Sequence, residues 1–281
     1  MSGFDDRAME LLRMLRKDYK SGATTLALKT LKGLSRYVEE VKPGDLTPLL
    51  SELRNARPSM IVIANALARV ASRLAGGETP LAAITRVTCE LENASSAIAR
   101  HAHPLIPTNA VVMTHSASSA VLGLLRLLAH EQHGFSVICT QSSPGHEGHS
   151  LAVALNDMKV PVTLITDAQI GLFVPQADVV ITGCDTWLAD GHFINKSGTR
   201  LLALAARAHK KPLWVLADSF RHSDQTSENV TLEEMPASEL GAPEGDWITP
   251  RNIYFETIPE SLVTGRVSEQ GVFSCPDSPQ Q

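Results

Sequence analysis

Residues 181–199 read Ile-Thr-Gly-Cys-Asp-Thr-Trp-Leu-Ala-Asp-Gly-His-Phe-Ile-Asn-Lys-Ser-Gly-Thr, and the apolar run from Ala177 to Ile181 leads into them. A short, β-branched apolar run of this kind reads as a buried strand. Asp185 then stands just past the carboxyl end of that strand, where open parallel sheets hold their ligands. Lys196 follows, before a Gly-Thr helix start. One acid and one cation are therefore set at the edge where chemistry is expected.

Working outward, five runs read as buried strands: Ala110 to Met113, Ser136 to Thr140, Val162 to Ile165, Asp178 to Thr182 and Leu213 to Ala217. Most are separated by helix-length segments. Alternation of this kind implies a parallel sheet covered by helices, an α/β architecture. The first hundred residues differ. Ala8, Leu11, Leu12, Leu15 and Tyr19, then Leu26, Ala27, Leu31, Leu34 and Val38, recur at helical steps. Pro43-Gly44 ends the second helix and Gly76-Gly77 a later one, while Thr79-Pro80 opens a helix running to about His103. Pro104 and Pro107 close the region. The pattern thus places a helical domain over residues 1–106 and a sheet domain over 107–281, with a loose tail from Gln270 to Gln281.

The 281 residues are 43% hydrophobic and 20% charged, with a net charge of -5. That balance gives no basic footprint, so direct nucleic-acid binding is not expected. Cysteines at 89, 139, 184 and 275 show no paired spacing, which argues against a zinc module or a disulfide framework and for a reducing cytoplasm. The amino-terminal residues are polar and acidic, and no apolar stretch approaches the roughly 20 residues that span a bilayer. Neither a membrane partner nor secretion is expected. No Walker A sequence and no Gly-x-Gly-x-x-Gly follows a predicted strand, so no dinucleotide or triphosphate cofactor is expected. His146-Glu147-Gly148-His149 lacks the three-residue spacing of the metalloprotease helix, and it reads as a loop and helix start rather than a metal site. His101 and His103, near a helix end, read as capping or surface residues. No Gly-x-Ser-x-Gly surrounds Ser116, which argues against a serine hydrolase.

Several motifs, in order and spacing, resemble a known family. Ser21-Gly22-Ala23 resembles its Arg-Gly-Ala, Ala56-Arg57-Pro58-Ser59 its Ala-Arg-Pro-Thr, and Val111 to Ser116 its strand ending in Thr-His-Cys or in Thr-His and a small residue. Glu147-Gly148-His149, Thr163 to Asp167, Gly183-Cys184-Asp185, Ile194 to Thr199 and Thr257 to Thr264 follow in the family's order. The family comprises the alpha, beta and delta subunits of eukaryotic translation initiation factor 2B, methylthioribose-1-phosphate isomerase and ribose-1,5-bisphosphate isomerase. The resemblance implies an N-terminal helical domain followed by a Rossmann-like parallel-sheet domain, a phosphorylated small-molecule ligand, and assembly as homo-oligomers through the α/β domain.

In the family's isomerases a cysteine after the first strand and an aspartate exchange protons, or assist hydride migration, as an aldose phosphate becomes a ketose. One group must give what the other takes. Asp185 matches the aspartate, but the cysteine position holds Ser116, a far poorer acid near neutral pH. The resemblance implies ligand contacts at Gly22, Ala23, Arg57, Thr114, His115, Gln141, Asn195 and Lys196. Arg57 is suited to bidentate phosphate contact, and the hydroxyls and N–H groups of the 114–119 turn suit a phosphate. The same serines could instead simply cap the following helix. Gln141-Ser142-Ser143-Pro144 replaces the family's Glu-Thr-Arg-Pro or Glu-Ser-x-Pro, so an acid and an arginine are missing, and two further departures make the charge less positive: Ser21 replaces an arginine and Asp190 an asparagine. Lys20 offsets part of this loss. A singly phosphorylated or uncharged ligand is therefore expected over a bisphosphate. Two functions follow: a non-catalytic, initiation-factor-2B-like subunit that binds a ribose phosphate or nucleotide monophosphate, or an aldose–ketose isomerase using Asp185 with Ser116 or a displaced cysteine.

Overall fold

The computed structural model describes residues 4–18, 21–58 and 60–275. They form two compact units, one comprising residues up to Ser95 with Ser219–His222, the other Ser96–Asp218 with the residues from Ser223 onward.

The first unit is helical: α1 (Asp6–Lys17), α2 (Ala23–Val41), α3 (Thr47–Asn55), α4 (Ile61–Ala75) and most of α5 (Pro80–Ala102). Asp5 caps α1, its carboxylate accepting the Ala8 N–H at 2.9 Å. The three- and four-residue apolar steps become one buried stripe per helix, with Leu11, Leu15, Leu26, Leu31, Leu34, Leu53, Ile63 and Leu67 in a common core. Ala83, Ile84, Val87 and Leu91 of α5 pack in this core, whereas Ile98, Ala99 and Ala102 pack in the core of the second unit. The prolines end the helix after the packing partner has already changed. The division read from sequence follows the prolines; the division by contacts falls within α5.

The second unit continues with β1 (Ala110–Thr114), α6 (Ser119–His130), β2 (Phe135–Thr140), α7 (Glu147–Asp157), β3 (Val162–Ile165), α8 (Ile170–Phe173), β4 (Val179–Thr182), β5 (Thr186–Trp187), β6 (His192–Lys196), α9 (Thr199–Ala208), β7 (Leu213–Leu216), β8 (Phe255–Pro259), β9 (Gly265–Ser268) and β10 (Gly271–Ser274). The main sheet has the order β10-β9-β7-β4-β1-β2-β3 and is parallel except for β10. Successive residues face opposite layers. Val112, Val137 and Val179 join α6 and α7 in one core, and Met113, Ile138 and Val180 join α8 and α9 in the other. Strands buried on both faces explain why these segments read as continuous apolar runs. All five predicted strands are present, with ends within one residue of expectation.

Two features depart from the sequence reading. Residues 186–196 form a hairpin, β5–β6, which joins β8 in a separate antiparallel sheet. Its Asp190-Gly191 turn, with Gly191 at φ 73, is a hairpin signal that was legible in the sequence. The segment expected to be loose from Gln270 contains β10, paired antiparallel with β9. Gly265 permits that pairing: a Cβ there would lie 2.2 Å from the Phe273 carbonyl oxygen. The rest of the expected tail, 276–281, lies outside the described residues.

The chain runs β1, β2, β3 outward in one direction and then returns to lay β4 on the other side of β1. Such a reversal opens a crevice between the carboxyl ends of the two strands. Ser116 follows β1 and Asp185 follows β4, so the two residues flank it.

Candidate ligand site

At the end of β1, Thr114, His115 and Ser116 are all buried. Ser116 has φ 63, a left-handed conformation that costs a serine roughly 1–2 kcal/mol. His115 is fixed at both ring nitrogens, with Nε2 2.8 Å from the Ser197 carbonyl and Nδ1 2.7 Å from Thr140 Oγ1. A carbonyl only accepts, so Nε2 carries the proton and Nδ1 accepts from the Thr140 hydroxyl. Gly198, at φ 107, lies against the ring, and a Cβ there would come within 2.7 Å of it. His115 is thus a brace between the β1, β2 and β6 ends.

Burial pushes the His115 pKa down, opposed by its bond to Ser197 and by the Asp167 and Glu256 charges. The neutral ring is the form the fold prefers. Its contribution to stability is present above the unfolded value near 6.5 and is lost as pH falls below it. Histidine NMR should show the His115 ring titrating below pH 6.5. A midpoint at or above that value would contradict this environment.

The β2–α7 turn is held from the side by Asp167, whose carboxylate accepts the Ser142 N–H at 2.9 Å and the Ser143 N–H at 2.7 Å. Gln141 donates its side-chain amide to Ser143 Oγ at 2.9 Å. His146 is the N-cap residue of α7, and its ring lies 5.0 Å from that of His149. No cluster of three or more potential metal ligands occurs among the described residues. His101 Nδ1 meets the Ser268 carbonyl at 2.9 Å, and His103 Nε2 lies 2.9 Å from the Glu131 carboxylate.

At the end of β4, Gly183 packs under Ser118, whose Oγ would be 2.4 Å from a Cβ. Ser118 takes the N-cap position of α6 with extended backbone but makes no side-chain capping bond. Asp185 is half-buried, and its N–H donates to the Ile194 carbonyl at 2.8 Å, which ties it to the β5–β6 hairpin. Asn195 commits its amide NH₂ to Thr182 at 3.0 Å and Thr199 at 2.9 Å, so it braces β4 against α9. Lys196 donates to Glu147 Oε1 at 2.7 Å, with its ammonium 3.5 Å from the centre of the Tyr254 ring. Burial and a hydrogen bond to Glu239 raise the Tyr254 pKa and keep its hydroxyl protonated. The amino end of α9 is occupied: Glu256 Oε1 accepts from Gly198 N–H at 2.7 Å and Arg200 N–H at 2.9 Å.

Cys139, at the end of β2, is fully buried and its pKa is pushed up to about 11 by burial. Cys184 is buried beside Asp185.

Gly22, Ala23 and Arg57 belong to the helical unit. Gly22 is the N-cap residue of α2, with no side-chain capping bond, and Ala23 is its first helical residue. Arg57 Nη1 donates to the Asp18 carbonyl at 2.9 Å. Ser21 is tied to the Asp18 carboxylate through both its N–H, at 2.9 Å, and its hydroxyl, at 2.7 Å, and Lys29 reaches the same carboxylate at 2.9 Å. Lys20 and Ser59 lie outside the described residues.

The sequence reading did not find Glu147 as the partner of Lys196, nor Thr140, Asp167, Tyr254 and Glu256 as supports. Glu147 and Asp167 lie in stretches that carry the family resemblance, but nothing in local spacing marks them, or Thr140, Tyr254 and Glu256, as supports.

Residues 19–275 match the Initiation factor 2 subunit family. A Pyrococcus furiosus protein, named for its likeness to translation initiation factor eIF-2B subunit 2, is 32% identical over 276 residues, 96% of this chain and 98% of that protein. The ribose 1,5-bisphosphate isomerase of Archaeoglobus fulgidus is 29% identical over 281 residues, 95% of this chain and 89% of the enzyme. The crystal structure of the Pyrococcus horikoshii OT3 translation initiation factor eIF-2B superposes with a TM-score of 0.80 at 27% identity, covering 97% of this chain and 98% of that one. From the match along nearly its whole length, this chain belongs to the Initiation factor 2 subunit family.

Proposed function

We propose that this protein is a non-catalytic, initiation-factor-2B-like subunit that binds a singly phosphorylated sugar or nucleoside and assembles with copies of itself. The observation that carries this reading is Ser116 at the β1 end of the crevice, where the isomerase reaction needs a second proton-exchanging group opposite Asp185. A serine hydroxyl stays protonated near neutral pH, and Cys139, with its pKa near 11, is no substitute. The relative named for the initiation factor, at 32% identity, supports the same reading. The cysteines at 89, 139, 184 and 275 are all free thiols, in keeping with a cytoplasmic protein. No helix among the described residues is long and apolar enough to cross a membrane.

A second reading, an aldose–ketose isomerase acting on a ribose 1-phosphate derivative, is favoured by Asp185 at the β4 end and by the 29% identity to a ribose 1,5-bisphosphate isomerase. Phosphorus NMR separates the two. Protein is incubated with ribose 1,5-bisphosphate, methylthioribose 1-phosphate and ribose 1-phosphate, with binding measured by calorimetry and size by sedimentation. The expected result is an oligomer that binds a pentose phosphate without forming ketose phosphate. Turnover abolished by Asp185→Asn would instead establish the isomerase. Absence of binding would remove the ligand reading, and a monomer at micromolar concentration would remove the assembly.

A further inference from the structure

The Lys196 side chain is only 6% exposed. A buried cation keeps its charge only where an anion or an aromatic face compensates it. Here both come from the chain itself: Glu147 Oε1 at 2.7 Å and the Tyr254 ring at 3.5 Å. Glu147 is unevenly satisfied, since Oε1 takes the ammonium while Oε2 is shut from solvent without a hydrogen bond. A buried acceptor left in that state carries a desolvation penalty, so attraction to Lys196 has to hold the carboxylate in place. The neighbouring α9 amino end has been filled in the same way, by Glu256.

The Lys196 ammonium and the amino end of α9 are therefore already matched by carboxylates. A phosphate arriving at Lys196 must displace Glu147 or settle beside its negative charge, and like charges a few ångströms apart are strongly disfavoured in a partly buried site. A sugar hydroxyl meets no such opposition and can share the ammonium, which has three donors. Resting on the ligand-binding reading above, we infer that Glu147 sets the charge class of the ligand. At Lys196 the site takes an uncharged, hydroxyl-bearing part of a sugar, and the ligand carries one phosphate rather than two. Glu147 acts as a specificity residue by repulsion, excluding the doubly charged competitor.

The test is calorimetric titration of the full chain with ribose 1-phosphate and with ribose 1,5-bisphosphate. The wild-type protein should bind the monophosphate at least about tenfold more tightly. Glu147→Gln, which keeps the shape and removes the charge, should shift the ratio of the two affinities by about tenfold toward the bisphosphate. In Glu147→Gln/Lys196→Met the shift should vanish, because it depends on the freed ammonium. Equal or tighter binding of bisphosphate by the wild type overturns the inference, and this comparison needs no variant to fold. A Glu147→Gln effect that is equal on both ligands, or that survives the loss of Lys196, overturns it as well. If the wild type binds neither sugar phosphate, the ligand-binding reading fails and takes this inference with it; if it binds the monophosphate but Glu147→Gln leaves the ratio unmoved, only this inference fails.

Discussion

Phe220→Ala should destabilise the helical unit by about 3–5 kcal/mol, the range for truncating a buried phenylalanine and leaving a cavity behind. Phe220 is 1% exposed and lies in the core formed by the helices, although it sits far along the chain from them. Its surroundings are specific as well as apolar. The Arg69 guanidinium stacks 3.6 Å above the ring and also reaches Ser219 Oγ at 2.8 Å. Asn65 donates to the Phe220 carbonyl at 2.7 Å and the His222 carbonyl at 2.8 Å, and Arg221 donates to Thr24 at 2.9 Å. Removing the ring takes away the anchor of the segment 219–222, so the bonds weaken together. Urea denaturation followed by far-ultraviolet circular dichroism would show a lower midpoint, and hydrogen exchange would place the loss in α2, α4 and the first turns of α5. Phe220→Leu, which refills most of the volume, should lose less than half as much. A change below about 1 kcal/mol for the alanine variant would mean that the cavity collapses and that the segment is not an anchor.

Gly148→Ala should be nearly as damaging, for the opposite reason. A Cβ at 148 would lie 1.8 Å from the Thr140 carbonyl oxygen and 3.1 Å from Gln141 Cα. Both are backbone, so no side chain can turn away, and α7 has to move off the end of β2. Overpacking of this kind typically costs 1–3 kcal/mol and more where the backbone is fixed at both ends. Thr140 also holds His115 Nδ1, and Glu147 precedes the new methyl, so the displacement would disturb the site along with the fold. The contrasting substitution is Gly123→Ala in α6, where nothing lies within 4 Å of the added Cβ. It should stabilise by about 0.4–1 kcal/mol through the restricted unfolded chain. Thermal unfolding of the two variants should move in opposite directions. Equal melting temperatures for Gly148→Ala and the wild type would show that the β2–α7 contact is loose.

Much of the fold was legible because its signals are periodic. Leu26, Leu31 and Leu34 fall on one helical face, and Val179, Val180 and Ile181 form an apolar run whose surroundings are buried on both sides. The short β5–β6 hairpin was not read, because a two-residue strand, Thr186–Trp187, is too short to show alternation and Asp190-Gly191 is its one local signal. β10 was missed because an edge strand of Gly, Val, Phe and Ser beside a polar terminus carries little hydrophobic pattern of its own. At the site, Ser116 and Asp185 were placed correctly at strand ends, but the sequence gives no means of separating ligand contacts from braces. His115 and Asn195 were read as ligand-binding by resemblance, but in the structure His115 donates to the Ser197 carbonyl and accepts from the Thr140 hydroxyl, and the Asn195 amide donates to Thr182 and Thr199.

The sequence by itself determined what depends on neighbours along the chain: the helical stripes, the five parallel strands, the helical and sheet-bearing regions, and the acid and the serine at strand ends. Only the tertiary structure decided the pairings between distant residues. Lys196 meets Glu147 across 49 positions, Gly198 meets Glu256 across 58, and Asn65 meets Phe220 across 155. Such pairings have no period, because strand order and the return of the chain to an earlier core fix which side chains come within hydrogen-bonding reach. A charge can therefore be read from one residue, while its availability to a ligand depends on a partner that only the folded chain brings to it.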